Sequence, residues 1–353
     1  MMRLASQVSA VVLLVVALVA SPAHAWNRSP AVTFAQLPAG AAHPEGIAAD
    51  AHGNIYVATF AVAGTSSGTG QLFVFSHGGK LVRQVNVAGS STLLLDPAFH
   101  PTTGDLLVID FGKQQVLTVD PVNGASSVFT TIPGGAAAGP NVLTFDDTGN
   151  VYISDSFQGI IWRTGSAGGA PTAWVTSALL TTTRVPPFGA NGLAFNKNRT
   201  ALFVANTGND TVVKIPLSAG TPGTPEVFVN SVNGADGLII DEHDNLWVAA
   251  NQADEIVVID PTGRVIAKLG DFGGIDSHGA PVGLLFPASL VRSGHFIYVT
   301  NLSLALRLFG LAQPVDAQWA AEVTIHTISR ISAHIPSIKG GPRPDFDDDF
   351  DDD

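Results

Sequence analysis

The fold class this sequence predicts is all-β: a six-bladed β-propeller with four-stranded blades and a central metal site. Three observations carry the blades. One hairpin-like segment recurs six times along the chain. The copies begin about 45–55 residues apart, the period of a propeller blade. The composition suits short strands and tight turns: 46% hydrophobic, only 13% charged, with 37 Gly and 22 Pro in 353 residues. Charged residues make up about a quarter of an average globular chain.

The N-terminus reads as an address rather than structure. Met1-Met2-Arg3 is a short positive region, Val8 to Ala20 is apolar, and Ala23-His24-Ala25 fits a small-x-small cleavage site. The apolar run is shorter than the roughly 20 residues needed to span a bilayer. The expectation is a cleaved signal peptide over 1–25, a secreted or periplasmic protein, and no stable membrane anchor. There is no Cys in the chain. Disulfides, thiolate metal sites and Cys-nucleophile mechanisms are therefore excluded.

The propeller is expected over 26–338. Its six hairpins are HPEGIAADAHGNIYVAT (43–59), LDPAFHPTTGDLLVID (95–110), GPNVLTFDDTGNVYISD (139–155), GANGLAFNKNRTALFVAN (189–206), GADGLIIDEHDNLWVAA (234–250) and FPASLVRSGHFIYVTN (286–301). In each, apolar and β-branched residues flank a polar turn. Four are followed by a third apolar strand: QLFVFS, QVLTVD, TVVKIPL and EIVVID. The segment 32–36 precedes the first hairpin and 322–333 follows the last. A closed ring must cover its edge strands, so these two ends are expected to share blade six. From Lys339 onward apolar content is too low to pack, and 339–353 is expected to be a disordered acidic tail.

The net charge of −12 is partly local, since seven of the 29 acidic residues lie in the closing DFDDDFDDD. No basic face is available for a phosphate backbone, which excludes nucleic acid as a partner. No Gly-x-Ser-x-Gly elbow supports a serine triad. The Gly-rich runs do not open helices, so no nucleotide loop is read here.

Aligning the hairpins on the turn residues Gly53, Gly104, Gly149 and Asp244 places Glu45, Asp96, Asn141 and Asp236 eight positions upstream. The fourth turn is one residue longer, and Asn191 takes the same place. These residues begin the innermost strands, which converge on the propeller axis. Carboxylates gathered there without a counterion would repel and lose hydration. A hard cation resolves that cost, and Ca²⁺, or another divalent cation, accepts such oxygen ligands. No His or Cys occupies the ring, against zinc or copper.

These segments, most closely HPEGIA, GANGLAFNKNRTALFVANTGNDTVVKI and GADGLIIDEHDNLWVAANQADEIVVIDPTG, resemble the senescence-marker-protein/gluconolactonase family of regucalcin-like six-bladed propellers. They are also similar to diisopropylfluorophosphatase. The resemblance implies a catalytic divalent ion, often Ca²⁺, held by Glu45, Asn141, Asn191 and Asp236. It also implies Asp236 as general base or nucleophile. Regucalcin-like lactonases carry Arg-x-Asn-Asp in blade three. Here the stretch is Gly139-Pro140-Asn141-Val142, without the Arg or the second acid. Blade six has Val291 near the place where diisopropylfluorophosphatase-like members put a His.

The expected function is an exported calcium-dependent hydrolase, a lactonase. It would use a metal-activated water or an Asp, with Asp236 the leading catalytic residue and Asp96 the second. The alternatives are a non-catalytic NHL-like propeller that binds a ligand or protein on its top face, a phosphotriesterase, and a strictosidine-synthase-like activity. The expected partner is a small, uncharged and fairly apolar substrate. Phe60, Phe99, Phe111, Phe157 and Trp162 are candidates to line its pocket. His43, two residues before Glu45, and His278, in the Gly-rich loop 270–283, are candidate substrate contacts alongside Phe99.

Overall fold

A computed structural model of the chain describes residues 28–61, 68–309 and 317–336. The expected signal peptide and acidic tail lie outside the described residues. Six four-stranded antiparallel sheets follow one another along the chain. The inner strands of blades one to five are His43–Ala49, Leu94–Phe99, Pro140–Phe145, Ala190–Phe195 and Ala235–Ile240. Blade six starts with Pro287–Ser293, continues with Phe296–Asn301 and Thr327–Ser332, and ends on Val32–Gln36 from the start of the chain. Val32 pairs with Arg330 and Gln36 with Thr327, so the two ends close the ring as expected. The inner strands touch their neighbours in turn, and the inner strand of blade six meets that of blade one.

Each sheet is covered on both faces, so its second strand reads as an almost unbroken apolar run. Ile55–Phe60, Leu106–Asp110, Val151–Asp155 and Leu246–Ala250 are buried along their whole length. The outer strands alternate instead, as in Leu81–Asn86. The apolar side chains collect into one cluster at each blade-to-blade seam. Blades four and five share Phe203, Val212, Leu246 and Val257, for example, and blades six and one share Tyr298, Ile328, Ile55 and Phe73. Burying every seam is the main driving force for the ring.

Near the axis the backbones almost touch. A Cβ on Gly46 would lie 2.3 Å from the Asp96 amide nitrogen, one on Gly192 2.4 Å from the Asp236 carbonyl, and one on Gly237 2.7 Å from the Ala288 carbonyl. Glycine at these positions is what lets adjacent inner strands converge.

A buried Asp or Asn closes the second strand in four blades and ties the connecting loops to the sheet: Asp110, Asp155, Asn206 and Asn301. Asp155 is the most heavily bonded. Its Oδ1 accepts the amide N–H groups of Gly139 (2.9 Å), Phe157 (3.1 Å) and Gln158 (3.0 Å). Its Oδ2 accepts from Gln158 Nε2 (2.7 Å) and Trp162 Nε1 (3.1 Å). The stretch between the second and third strands of blade six holds a short 3₁₀ turn at Leu306–Phe309 and a single α-turn at Ala317–Ala320. The loop 270–283 forms a small hairpin, Phe272–Ile275 with Pro281–Gly283.

Candidate functional site

Where the inner strands begin, the tunnel opens into a cavity lined by Glu45, Asn141, Asn191, Asp236 and Asn251. The cavity and its mouth enclose ≈ 490 Å³ of unfilled space. A β-bulge delivers each strand-borne side chain. Pro44 pairs with Thr59 and Ile47 with Val57, so the two residues Glu45 and Gly46 face one residue of the second strand. The same two-against-one step occurs at Asn141-Val142, Asn191-Gly192 and Asp236-Gly237. Such a bulge turns a side chain out of the pleat and toward the axis.

The polar contacts in this cavity are incomplete in one consistent way. Asn141 donates through Nδ2 to Ser156 Oγ (3.2 Å), Asn191 to Thr207 Oγ1 (3.0 Å) and Asn251 to Asp236 Oδ2 (2.9 Å). Each amide thus turns an N–H to a neighbour and leaves Oδ1 free. Five buried oxygens have no hydrogen-bond partner: Glu45 Oε2, Asn141 Oδ1, Asn191 Oδ1, Asp236 Oδ1 and Asn251 Oδ1. An isolated buried oxygen of this kind costs on the order of 1–3 kcal/mol, and native proteins keep few of them. Five in one cavity, all lone-pair donors, form a set suited to a hard cation such as Ca²⁺.

The carboxyls register the same crowding. Burial raises Glu45 well above the ordinary carboxylate range, and the neighbouring charges of Asp236 and Asp96 add to the effect. Burial pushes Asp236 up to about 7, against the opposing hydrogen bonds of Asn251 and Asn191. At that value it exchanges a proton near neutral pH.

The site has two halves. In blades three to five the residue just after the second strand is polar (Ser156, Thr207, Asn251) and supports the inner-strand residue beside it. In blades one, two and six the same place holds Phe60, Phe111 and Leu302. Pro186 and Phe188 from the loop between blades three and four, with Phe286, Leu304 and Leu306, complete an apolar wall.

Asp96 corrects the repeat arithmetic. The blade-two turn closes between His100 and Asp105, one residue longer than the Asp50–Asn54, Asp146–Asn150 and Asp241–Asn245 turns. Aligning on Gly104 therefore slips by one. Leu94 pairs with Asp110, so Leu95 holds the place of Glu45 and Asn141, and Leu95 lines the cavity. Asp96 faces the other end of the tunnel, in a separate and larger cavity, with Oδ2 accepting the Leu143 N–H at 2.7 Å. Burial raises it to about 7.

The structure does not bring the three expected substrate contacts to this mouth. Phe99 lines the opposite cavity, packing edge-on against Tyr56 with centroids 5.1 Å apart. His43 bonds through Nδ1 to the Leu302 carbonyl (2.8 Å) and stacks on His326, 4.5 Å away, in a separate cavity at the seam of blades six and one. His278 is exposed on the small hairpin and lines none of these three cavities. Of the aromatic candidates, Phe60 and Phe111 line the cavity. Trp162 is buried in the seam between blades two and three, and Phe157 sits at the rim, stacked on Phe188.

Sequence reasoning missed Asn251 and, beyond Phe60 and Phe111, the rest of the apolar wall. A second repeat alignment, on the residue following each second strand, would have exposed the series Phe60, Phe111, Ser156, Thr207, Asn251 and Leu302.

Comparison with known proteins gives a consistent picture. A comparison with curated proteins finds no match. Among solved structures, a luciferin-regenerating enzyme superposes with a TM-score of 0.60 at 16% identity, over 85% of this chain and 94% of that one. The calcium-binding protein regucalcin from Agrobacterium tumefaciens gives 0.60 at 15% identity, over 88% and 99%. A gluconolactonase from Xanthomonas campestris gives 0.56 at 12% identity, over 87% and 90%. At these identities the likeness is one of fold. Residues 98–270 match the SMP-30/Gluconolactonase/LRE-like region, a stretch that holds Asn141, Asn191, Asp236 and Asn251 but not Glu45. Blades two to five thus carry an SMP-30/gluconolactonase/LRE-like region, and the chain as a whole resembles that family of six-bladed propellers.

Proposed function

We propose that this chain is a calcium-dependent hydrolase that opens cyclic esters, a lactonase acting outside the cytoplasm. One observation carries the reading: five buried, partnerless oxygens from four blades and one loop converge on a single apolar-walled cavity. The printed descriptions of the similar proteins, a gluconolactonase and a calcium-binding regucalcin, support it. The signal-like first 25 residues support export.

Glu45, Asn141, Asn191, Asp236 and Asn251 would hold the cation. When bound, a cation there supplies Lewis-acid polarisation of the ester carbonyl and stabilises charge developing on its oxygen. The remaining work belongs to the chain. The Asn251 amide fixes Asp236 through Oδ2, leaving Oδ1 aimed into the cavity. Asp236 accepts a proton from water as the water oxygen attacks the ester carbon. The ring C–O bond then breaks, and Asp236 returns the proton to the departing ring oxygen. The product is the open hydroxy acid. Thr207 and Ser156 keep the neighbouring amide oxygens turned inward throughout.

The test is lactone hydrolysis by chelator-stripped protein, followed as acid release. Turnover is expected to vanish with the chelator and return with Ca²⁺. Asp236→Asn is expected to lower kcat/KM by roughly 10²–10⁴-fold, the usual worth of a general base. Full activity in Asp236→Asn, or in the presence of the chelator, refutes the mechanism.

A further inference from the structure

We infer that the site is built for a lactone with an aliphatic or aryl substituent, and that it selects against polyhydroxylated lactones. This rests on the lactonase reading above and names its substrate class. The argument concerns which hydrogen-bonding groups a bound molecule would meet. A sugar lactone presents several hydroxyls, and each must find a partner once water is displaced. In this cavity the Nδ2 groups of Asn141, Asn191 and Asn251 each already spend one of their two N–H donors within the protein. Among the described residues no Arg, Lys or His lines it, and the Thr207 hydroxyl, which already accepts from Asn191, is the one hydroxyl among the lining side chains. The free oxygens are those facing the carbonyl end.

The walls have the opposite character, and they oppose one another. On one side Phe111 meets Phe60 with centroids 6.0 Å apart and Phe188 at 6.3 Å. Phe157 continues this aromatic face to the rim, 5.7 Å from Phe111, and is 42% exposed. On the other side Phe286, Leu302, Leu304 and Leu306 form one buried apolar cluster. With the carbonyl turned to the polar half in blades three to five, a substituent on the ring lies between these faces.

The test compares three six-membered lactones on the calcium-loaded full chain: δ-decalactone, δ-valerolactone and D-glucono-1,5-lactone. They share a ring and differ in bearing a pentyl tail, nothing, or hydroxyls. Burying apolar surface is worth roughly fourfold per methylene, or about 60-fold for three methylenes. The expected order of kcat/KM is decalactone, then valerolactone, then gluconolactone, with roughly 100-fold or more between first and last. Phe188→Ser, on a half-buried loop position, and Leu304→Gln, on the facing wall, should each reduce the decalactone-to-valerolactone ratio several-fold. Gluconolactone turned over as fast as decalactone overturns this inference and leaves the lactonase reading intact. If none of the three is hydrolysed, the lactonase reading falls and this inference falls with it.

Discussion

Replacing Glu45 with Gln should raise stability without calcium and abolish most of the stability that calcium adds. Glu45 is buried, its Oε2 has no partner, and Asp236 and Asp96 oppose its charge. The folded chain therefore keeps this proton after the unfolded chain, with an ordinary value near 4.5, has released it. Stability from this group is full below that value and is lost as pH rises. Above its raised value the metal-free folded protein carries the whole penalty. Exchanging a buried charged group for a neutral one of similar shape typically returns roughly 1–4 kcal/mol. For a unit of roughly 300 residues, 1 kcal/mol moves Tm by about 1.5 °C, so Glu45→Gln should melt about 2–6 °C higher in chelator. Calcium at a hundred times its Kd adds about 2.7 kcal/mol to a protein that binds it only when folded. The unmodified protein should then gain about 4 °C while Glu45→Gln gains little, so calcium closes most or all of the gap between them. The assay is thermal unfolding at pH 8, followed by circular dichroism, in chelator and in calcium. A variant that melts lower in both conditions would show that Glu45 serves only packing, and the cation argument would fail.

Two other outcomes follow from groups away from the reaction. Asp155→Asn leaves the amide donors around it competing for one carbonyl oxygen and should cost about 3 kcal/mol or more, seen as a drop in Tm in chelator and calcium alike. An unchanged Tm would mean the loops do not depend on it. His326 has a buried, unpartnered Nδ1, and burial, followed by the His43 ring, pushes it down to about 3. It stays neutral while the unfolded chain protonates below about 6.5, so its contribution is intact above that pH and lost as pH falls toward 3. Between pH 7 and pH 5 the unmodified protein should lose about 2 kcal/mol through this group. His326→Phe should flatten that loss; an unaltered acid limb in urea titrations refutes the assignment.

Much of the architecture is legible without coordinates because a blade is a local object. Hairpin turns such as Ala51-His52-Gly53 and Asp147-Thr148-Gly149 mark their own ends, and second strands covered on both faces advertise themselves as apolar runs. Closure of the ring by Val32–Gln36 was legible as well, since an unpaired edge would otherwise remain. The positions of Glu45, Asn141, Asn191 and Asp236 on one cavity followed from the same repeat. Asp96 shows where such counting fails. One extra turn residue, closed by the His100–Asp105 hydrogen bond, moves the next side chain to the other end of the tunnel.

The sequence by itself determined the blade count, the strand order and the oxygen-only chemistry at the start of the inner strands, because each depends on patterns within about 20 residues. Only the tertiary structure decided which oxygens lack partners, that Asn251 joins them, and that one half of the mouth is apolar. Those properties arise where six blades meet. Phe60, Phe188 and Leu304 are more than 100 residues apart in the chain, and no local pattern records that they face one cavity. Whether a given amide donates to a neighbour or leaves its oxygen free is settled by the same convergence.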